Sequence, residues 1–472
     1  MAEHRRRIDP LAPMTLLALS TQLLLTALGA LAALAAIRTA RTPQGAVGWV
    51  VFLVAFPLLA LPAFALFGRL GFEGYHRKRR ALDREGEASD EHPGPAPGRL
   101  ATLSRIAGRP VVTGNRLEVL VDGEATFAAI FAAIEAARIE VLVQFYILRD
   151  DEVGRALAGR LVAAAARGVR VRVLYDALGS WALGRRLPRR LRDAGVRVQA
   201  IRGPLRPVGR AGVNFRNHRK TVVVDGRTGF TGGLNAGREY LDGGHAFEAW
   251  RDTFLRIEGP MVAQLRGVFA RDWAWSAGAP LEEMPDAAAA ARGGAAGMIV
   301  ATGPTDALER GSLFLCGLAG LARRRLWIAT PYFVPHTDLL TAIQLAAMRG
   351  VSVRILVPAA MDHLLPWYAS RDYFDDVQRV GGEVWEYGAG FMHQKVVLVD
   401  DDVATVGTLN IDIRSAMLNF EQTAAVEDRA FAARVAAMLE ADFARATLAP
   451  ERHPSARVRL LAPVARLFGP LL

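Results

Sequence analysis

The chain has 472 residues, more than one hydrophobic core ordinarily serves, so two or three domains are expected. Hydrophobic residues make up 51% and are unevenly placed, and 58 basic against 47 acidic residues give a formal charge of +11. That charge favours an anionic partner (nucleic acid, an acidic membrane surface or a phosphorylated substrate) without choosing among them. A single cysteine, Cys316, excludes an intrachain disulfide and any cysteine-based zinc site.

Taken in chain order, residues 14–37 carry no charge and are rich in Leu and Ala, enough to span a hydrocarbon core of roughly 30 Å. Residues 45–68 form a second uncharged run, interrupted by Pro57 and Pro62, which spanning helices tolerate. Residues 1–72 therefore read as a transmembrane helical hairpin. The first run is too long for a signal-peptide core, and a second span follows it directly. Arg5, Arg6 and Arg7 precede the pair and Arg77, Lys78, Arg79 and Arg80 follow it, whereas the turn carries only Arg38 and Arg41. The bias of basic residues puts both ends, and the rest of the chain, in the cytoplasm. Residues 73–112 are expected to be a linker, basic and then acidic, rich in Pro and Gly over Asp83–Arg99.

The remainder contains one plan twice. Ile139–Tyr146 and Leu326–Phe333 are apolar strands, each followed by a helical pattern, an Arg-Gly-Val and a further strand, Arg170–Tyr175 or Ser352–Val357. Each copy continues through Ala194–Ile201 or Gly381–Tyr387 to a histidine motif. Strands alternating with helices predict an α/β fold: two tandem domains, 113–290 and 291–450, each a mixed sheet flanked by helices, packed as a pseudo-dimer with a site at their junction.

The motifs read His218-Arg-Lys220-Thr-Val-Val-Val-Asp225 with Gly232-Gly233-Leu-Asn235, and His393-Gln-Lys395-Val-Val-Leu-Val-Asp400 with Gly407-Thr408-Leu-Asn410. His, Lys, Asp and Asn all recur at the same offset, 393 − 218 = 175. Side chains two apart on a strand share a face, so each Lys accompanies its His. Two imidazoles, two ammonium groups and two amides suit a phosphoryl group: one imidazole attacks phosphorus and the other protonates the leaving oxygen. Asp225 and Asp400 belong to the candidate catalytic motif, although a strand end suits a turn and salt-bridge role better. Aligning Asp252-Thr-Phe-Leu-Arg-Ile-Glu258 with Glu421-Gln-Thr-Ala-Ala-Val-Glu427 pairs Asp252 with Glu421 as carboxylates that fix an imidazole tautomer. No H-E-x-x-H or comparable metal spacing occurs, so neither metal nor other cofactor is expected.

These motifs resemble those of the phospholipase D (HKD) superfamily, and within it the chain is similar to bacterial cardiolipin synthases with two N-terminal spans. The likeness runs from the hairpin through Asn217–Lys220, Gly229–Asn235, Trp250–Asp252, Met392–Lys395, Asn410–Ser415 and Asn419–Glu421 to the ending Arg466–Leu472. It implies a ping-pong phosphatidyl transfer at the bacterial inner membrane. His218, the first histidine, attacks phosphatidylglycerol, and glycerol leaves protonated by His393. A second phosphatidylglycerol then takes the phosphatidyl group from His218, giving cardiolipin. Lys220, Lys395, Asn235 and Asn410 would hold the phosphate. Many members have Ser after the motif glycine, where this chain has Gly233 and Thr408.

Residues 451–472 mix Arg457, Arg459 and Arg466 with apolar side chains and suit either an amphipathic element on an anionic surface or a docking helix. Trp181, Trp367 and Tyr368 are further candidate lipid contacts. Phosphatidylglycerol and other anionic phospholipids are thus the expected partners. A nuclease of the same superfamily is disfavoured by the hairpin and by the lack of a nucleic-acid module, so no nucleic acid is expected. The motifs do not separate transfer from hydrolysis. A non-catalytic membrane scaffold would have no need of two complete motifs.

Overall fold

A computed structural model of the chain describes residues 12–40, 43–68, 98–202, 215–244, 246–284, 293–306, 308–451 and 455–469. They fall into two compact bodies, the N-terminal helices and a large unit that holds the described residues from 98 onward.

In the first body, helix Ala12–Thr39 is apolar and long enough to cross a membrane. The second uncharged run forms two helices, Pro43–Ala55 and Pro57–Phe67. The break falls at Phe56 because Pro57 cannot donate to the preceding turn and starts the next helix instead. The outward side chains are apolar: Leu23, Leu24, Leu31, Val51, Val54, Leu58 and Leu59 are all exposed. A water-soluble helix hairpin places its apolar stripe inside, so this outer surface suits hydrocarbon. The flanking basic residues Arg5–Arg7, Arg41 and Arg77–Arg80 lie outside the described residues, as does most of the expected linker.

The second body is built on one continuous sheet. From one edge the strands run Arg197–Ile201, Arg170–Asp176, Glu140–Phe145, Thr221–Val224, Thr228–Gly232, Thr253–Glu258 and Val112–Val121. The sheet continues through Ala295–Thr302, Asn419–Glu427, Val403–Gly407, Val396–Val399, Arg325–Ala329, Ser352–Pro358, Glu383–Tyr387 and Ala446–Leu448. Apart from the added edge strand Ala446–Leu448, the second list repeats the first in reverse, so a local two-fold passes between Val112–Val121 and Ala295–Thr302, which pair antiparallel. In each half three parallel strands lie beside antiparallel ones.

The motif strands Thr221–Val224 and Val396–Val399 are buried along their whole length, as strands apolar on both faces must be. Helices Met261–Ala277 and Arg429–Phe443 cover one face, where Leu265, Phe269, Phe431 and Val435 join both halves in a single core. The other face carries a separate core in each half.

The expected linker contains structure near its end. Helix Ala101–Ala107 packs its Leu103 and Ala107 into the second half's core. Arg99 Nη2 reaches Asp400 Oδ2 at 2.6 Å. At the other terminus, helix Ala456–Arg466 lies against helix Leu364–Asp372, tied by Arg466 to Asp372 at 3.0 Å and to Asp376 at 3.2 Å. Val458, Ala462 and Ala465 face the protein while Leu460, Val464 and Leu467 are exposed. Trp181 stands exposed and Trp367 is half-buried beneath the Arg371 guanidinium, but Tyr368 is buried, which removes it as a free lipid contact.

Candidate active site

Each histidine is placed by the opposite half. Arg216–Asn217 pairs in parallel with Asn419–Phe420, and the His218 amide donates to the Phe420 carbonyl at 2.9 Å. Phe391–Met392 pairs likewise with Trp250–Arg251, and the His393 amide donates to the Arg251 carbonyl at 2.8 Å. The residues that follow those carbonyls are Glu421 and Asp252. As a result His218 Nδ1 lies 2.9 Å from Glu421 Oε2, and His393 Nδ1 lies 2.8 Å from Asp252 Oδ2. Both carboxylates are fully buried. With Nδ1 engaged, Nε2 of each ring is the nitrogen left for chemistry.

Both imidazoles line one cavity of about 710 Å³, together with Tyr146, Asn235, Tyr240, Trp250, Asn410 and Arg414. Lys220 and Lys395 lie beneath this wall. Lys220 Nζ donates to its own His218 carbonyl at 2.7 Å, and Lys395 Nζ does the same to His393. Tyr146 and Trp250 pack against the His218 and His393 rings at centroid distances of 5.0 and 5.1 Å. Asn235 donates to Tyr240 Oη at 2.7 Å and accepts from the Ile147 amide at 3.1 Å.

A second ring of polar residues holds the motif strands. Arg219 makes two bonds to Asp272, at 2.8 and 3.0 Å, which also accepts from Asn217. Across the dyad Arg251 grips Asp442 at 2.7 and 2.8 Å, and Asp442 accepts from Gln394. Gln422 bridges to the Lys220 carbonyl at 2.9 Å. These supports escape a reading built on the histidine motif alone. The repeated Asp272-Trp-Ala and Asp442-Phe-Ala at the ends of the two covering helices is the signal that would have found the aspartates. The lining residues Tyr146, Tyr240, Arg216 and Arg414 carry no such repeat.

Burial and mutual repulsion dominate the electrostatics. Desolvation, with the neighbouring ammonium groups, holds His218 below its usual pKa and His393 well below it. Burial brings Lys220 down to about 7 and Lys395 to about 8. Glu421 and Asp252 offset part of this loss, and an anionic phosphoryl group bound above the two ammonium groups would favour their charged forms further.

The halves differ at the carboxylates. Burial pushes Asp252 up to about 6. Glu421 is equally buried, yet His218, Lys220 and the Thr408 hydroxyl, 2.5 Å from Oε2, bring it below the ordinary carboxylate range. The first half has Gly233 in place of Thr408, and packing explains it: a Cβ there would stand 2.1 Å from Asp252 Oδ1. The motif glycines Gly232 and Gly407 are required by packing within the sheet. Their missing Cβ atoms leave room for the Thr253 and Gln422 carbonyls, which would lie 2.4 and 2.5 Å away.

Asp225 and Asp400 are not in the cavity wall. Each sits at positive φ, 52° and 53°, in the turn at the far end of its motif strand. Asp225 accepts the amides of Arg138, Ile139 and Glu140, and Asp400 those of Arg323, Arg324 and Arg325. Their place in the motif is structural: they clamp the motif strand to the chain entering its neighbour, which corrects the expectation of a catalytic part for them.

Comparison with known proteins agrees with this geometry. Residues 130–273 and 315–443 match the family described as cardiolipin synthase, PLD-like domain. Cardiolipin synthase A of Pseudomonas aeruginosa (strain LESB58) is 46% identical over 79% of this chain and 76% of its own length. The chain belongs to this family. Cardiolipin synthase A of Pseudomonas fluorescens (strain SBW25) is 42% identical over 86% of this chain and 88% of its own. The fold is shared with the phosphatidylserine synthase of Haemophilus influenzae Rd KW20, at a TM-score of 0.57 and 16% identity over 84% of this chain and all of that one. A family of phosphatidyltransferases accounts for a doubled histidine site facing one cavity.

Proposed function

We propose that the enzyme transfers a phosphatidyl group between two phosphatidylglycerol molecules, with His218 as nucleophile and His393 as acid and base. The reciprocal exchange of carboxylates between the halves carries this reading, because it prepares two imidazoles on one cavity in different electrostatic settings. Glu421 stays ionised and holds the Nδ1 proton of His218, which supports attack by Nε2 on phosphorus. The bond from phosphorus to the glycerol oxygen breaks, and that oxygen takes a proton from His393, whose imidazolium form the bound phosphate anion favours. The primary hydroxyl of a second phosphatidylglycerol then gives its proton back to His393 and attacks phosphorus, and the P–N bond to His218 breaks. Asn235 and Asn410 flank the phosphate. Lys220 and Lys395, charged once the anion binds, neutralise it from beneath. The residues present need no metal for these steps.

Anionic lipid is the medium in this reading. The hairpin lies in the inner membrane as two passes with both ends cytoplasmic, and the exposed Leu460, Val464 and Leu467, beside Arg457 and Arg459, suit contact with an anionic lipid surface. Purified full-length protein in vesicles containing labelled phosphatidylglycerol tests the chemistry. Cardiolipin and free glycerol in equal amounts support it; phosphatidic acid as the sole product would show a hydrolase.

A further inference from the structure

The two halves of the cavity wall differ chemically. Beside His218, the first half lines the cavity with Tyr146, Ile147, Arg216, Asn235, Tyr240 and Trp250, with no carboxylate among them. The second half contributes Asp362 and Asp412 as well as Tyr332. Strand register makes Tyr332 the counterpart of Ile147, because Phe333 pairs with Ile411 as Leu148 does with Ala236. The offset of 175 makes Asp412 the counterpart of Gly237. The acidic wall is therefore an addition to the duplicated plan.

Asn410 shows what this wall lacks. Its counterpart Asn235 is satisfied on both amide atoms. Asn410 bonds Asp412, which fixes the amide with its NH₂ toward that carboxylate. Its Oδ1 is buried with no hydrogen-bond partner, on a residue only 5% exposed. A buried acceptor without a donor is destabilising, so a ligand that brings a hydroxyl would relieve it. Asp412 accepts the Ser415 amide at 2.5 Å, and Asp362 accepts the His363 amide at 2.7 Å and the Tyr332 hydroxyl. Each carboxylate keeps further acceptor capacity, since an ionised carboxylate has about four lone-pair sites.

We infer that Asn410, Asp412 and Asp362 form an alcohol subsite on the His393 side of the cavity that reads the second hydroxyl of a vicinal diol, such as the glycerol headgroup. This rests on the phosphatidyl-transfer reading above and adds the source of its alcohol specificity. The leaving glycerol and the incoming phosphatidylglycerol headgroup are the same chemical unit, and both must present a primary oxygen to one acid–base histidine. One subsite then serves both half-reactions. Acceptor oxygens grip the secondary hydroxyl while the primary oxygen faces phosphorus. Water and monohydric alcohols lack that handle and bind less well.

The test is a partition experiment with the full-length enzyme in mixed micelles of phosphatidylglycerol, given equal concentrations of 1,2-propanediol and 1-propanol. The ratio of the two phosphatidyl-alcohol products depends on the second step alone, however fast the intermediate forms. Wild type is expected to favour the diol at least tenfold. Asp362→Asn and Asp412→Asn, each close to isosteric, should lower the ratio about tenfold toward unity. A ratio that stays at the wild-type value in both variants, even with slower turnover, means that the carboxylates serve only structure and overturns the inference; so does a wild-type ratio near one. If wild type forms neither product nor cardiolipin, the transfer reading itself has failed. Asp362→Asn guards against misfolding of Asp412→Asn, because Asp412 also caps helix Ile413–Met417.

Discussion

His218 takes its carboxylate partner from the other end of the chain: Glu421 Oε2 lies 2.9 Å from its Nδ1, 203 residues away in sequence. The reciprocal pair, His393 and Asp252, closes at 2.8 Å. Neither half holds a complete catalytic histidine by itself.

Removing either carboxylate charge should therefore disable a histidine in the opposite half. Glu421→Gln is expected to lower kcat by roughly 10²- to 10⁴-fold, through loss of the tautomer and of charge support for His218. Rapid quench with radiolabelled lipid should show that formation of the phosphatidyl-enzyme is the slowed step. An unchanged rate of intermediate formation would place the nucleophile elsewhere.

Thr408→Val should cost roughly 1–3 kcal/mol, since it leaves Glu421 Oε2 short of a buried donor. Gly233→Ala should be worse for activity, because the new methyl group would stand 2.1 Å from Asp252 Oδ1 and push that carboxylate off His393. A denaturation midpoint and kcat for each variant check the pair; Gly233→Ala at wild-type activity would contradict the packing described.

The pH profile follows from the buried groups. Asp252 titrates near 6, and below that pH it no longer accepts the His393 proton as an anion. Lys220 and Lys395 lose charge near 7 and 8 in the empty site, so kcat/KM should fall on both sides of a maximum between about 6 and 8. Asp252→Asn should abolish the acid limb while leaving the basic one in place. Bound phosphate favours the ammonium forms, so the basic limb of kcat should lie at higher pH than that of kcat/KM.

Stability should run against function at Lys220. Its pKa is depressed on folding, so the unfolded chain binds more protons between about 7 and 10.5 and the empty enzyme gains stability as pH rises through that window. Asp252, raised on folding, contributes stability below 3.8 that is lost as pH rises to about 6. Lys220→Met should abolish turnover yet raise the melting temperature at pH 6, with the gain shrinking toward pH 10. A lower melting temperature at pH 6 would show that the ammonium stabilises the empty site.

Asp225→Asn should separate structure from catalysis. Asn tolerates positive φ but accepts the three amides without a charge, so the melting temperature should fall while kcat at low temperature stays within about twofold. A large loss of kcat with unchanged stability would return Asp225 to the catalytic set.

Much of this was legible in the sequence, because it depends on local rules. The uncharged runs mark helices suited to a bilayer, and the constant offset of 175 identifies the duplication and its His, Lys and Asn positions. Fully apolar Val222–Val224 and Val396–Val399 read as interior strands, and Asp252 and Glu421 stand out by alignment. What sequence leaves open is partnership across the dyad. Two equivalent carboxylates and two equivalent histidines allow same-half or exchanged pairing. Only the parallel ladders of Arg216–Asn217 with Asn419–Phe420 and Phe391–Met392 with Trp250–Arg251 decide for exchange. The same holds for the acidic wall of Asp362 and Asp412 and for the three amides that Asp225 clamps, although its place at a strand end already pointed to a turn role. Residue spacing fixes which side chains share a strand face, whereas the surface a side chain meets is set by packing between segments remote in the chain.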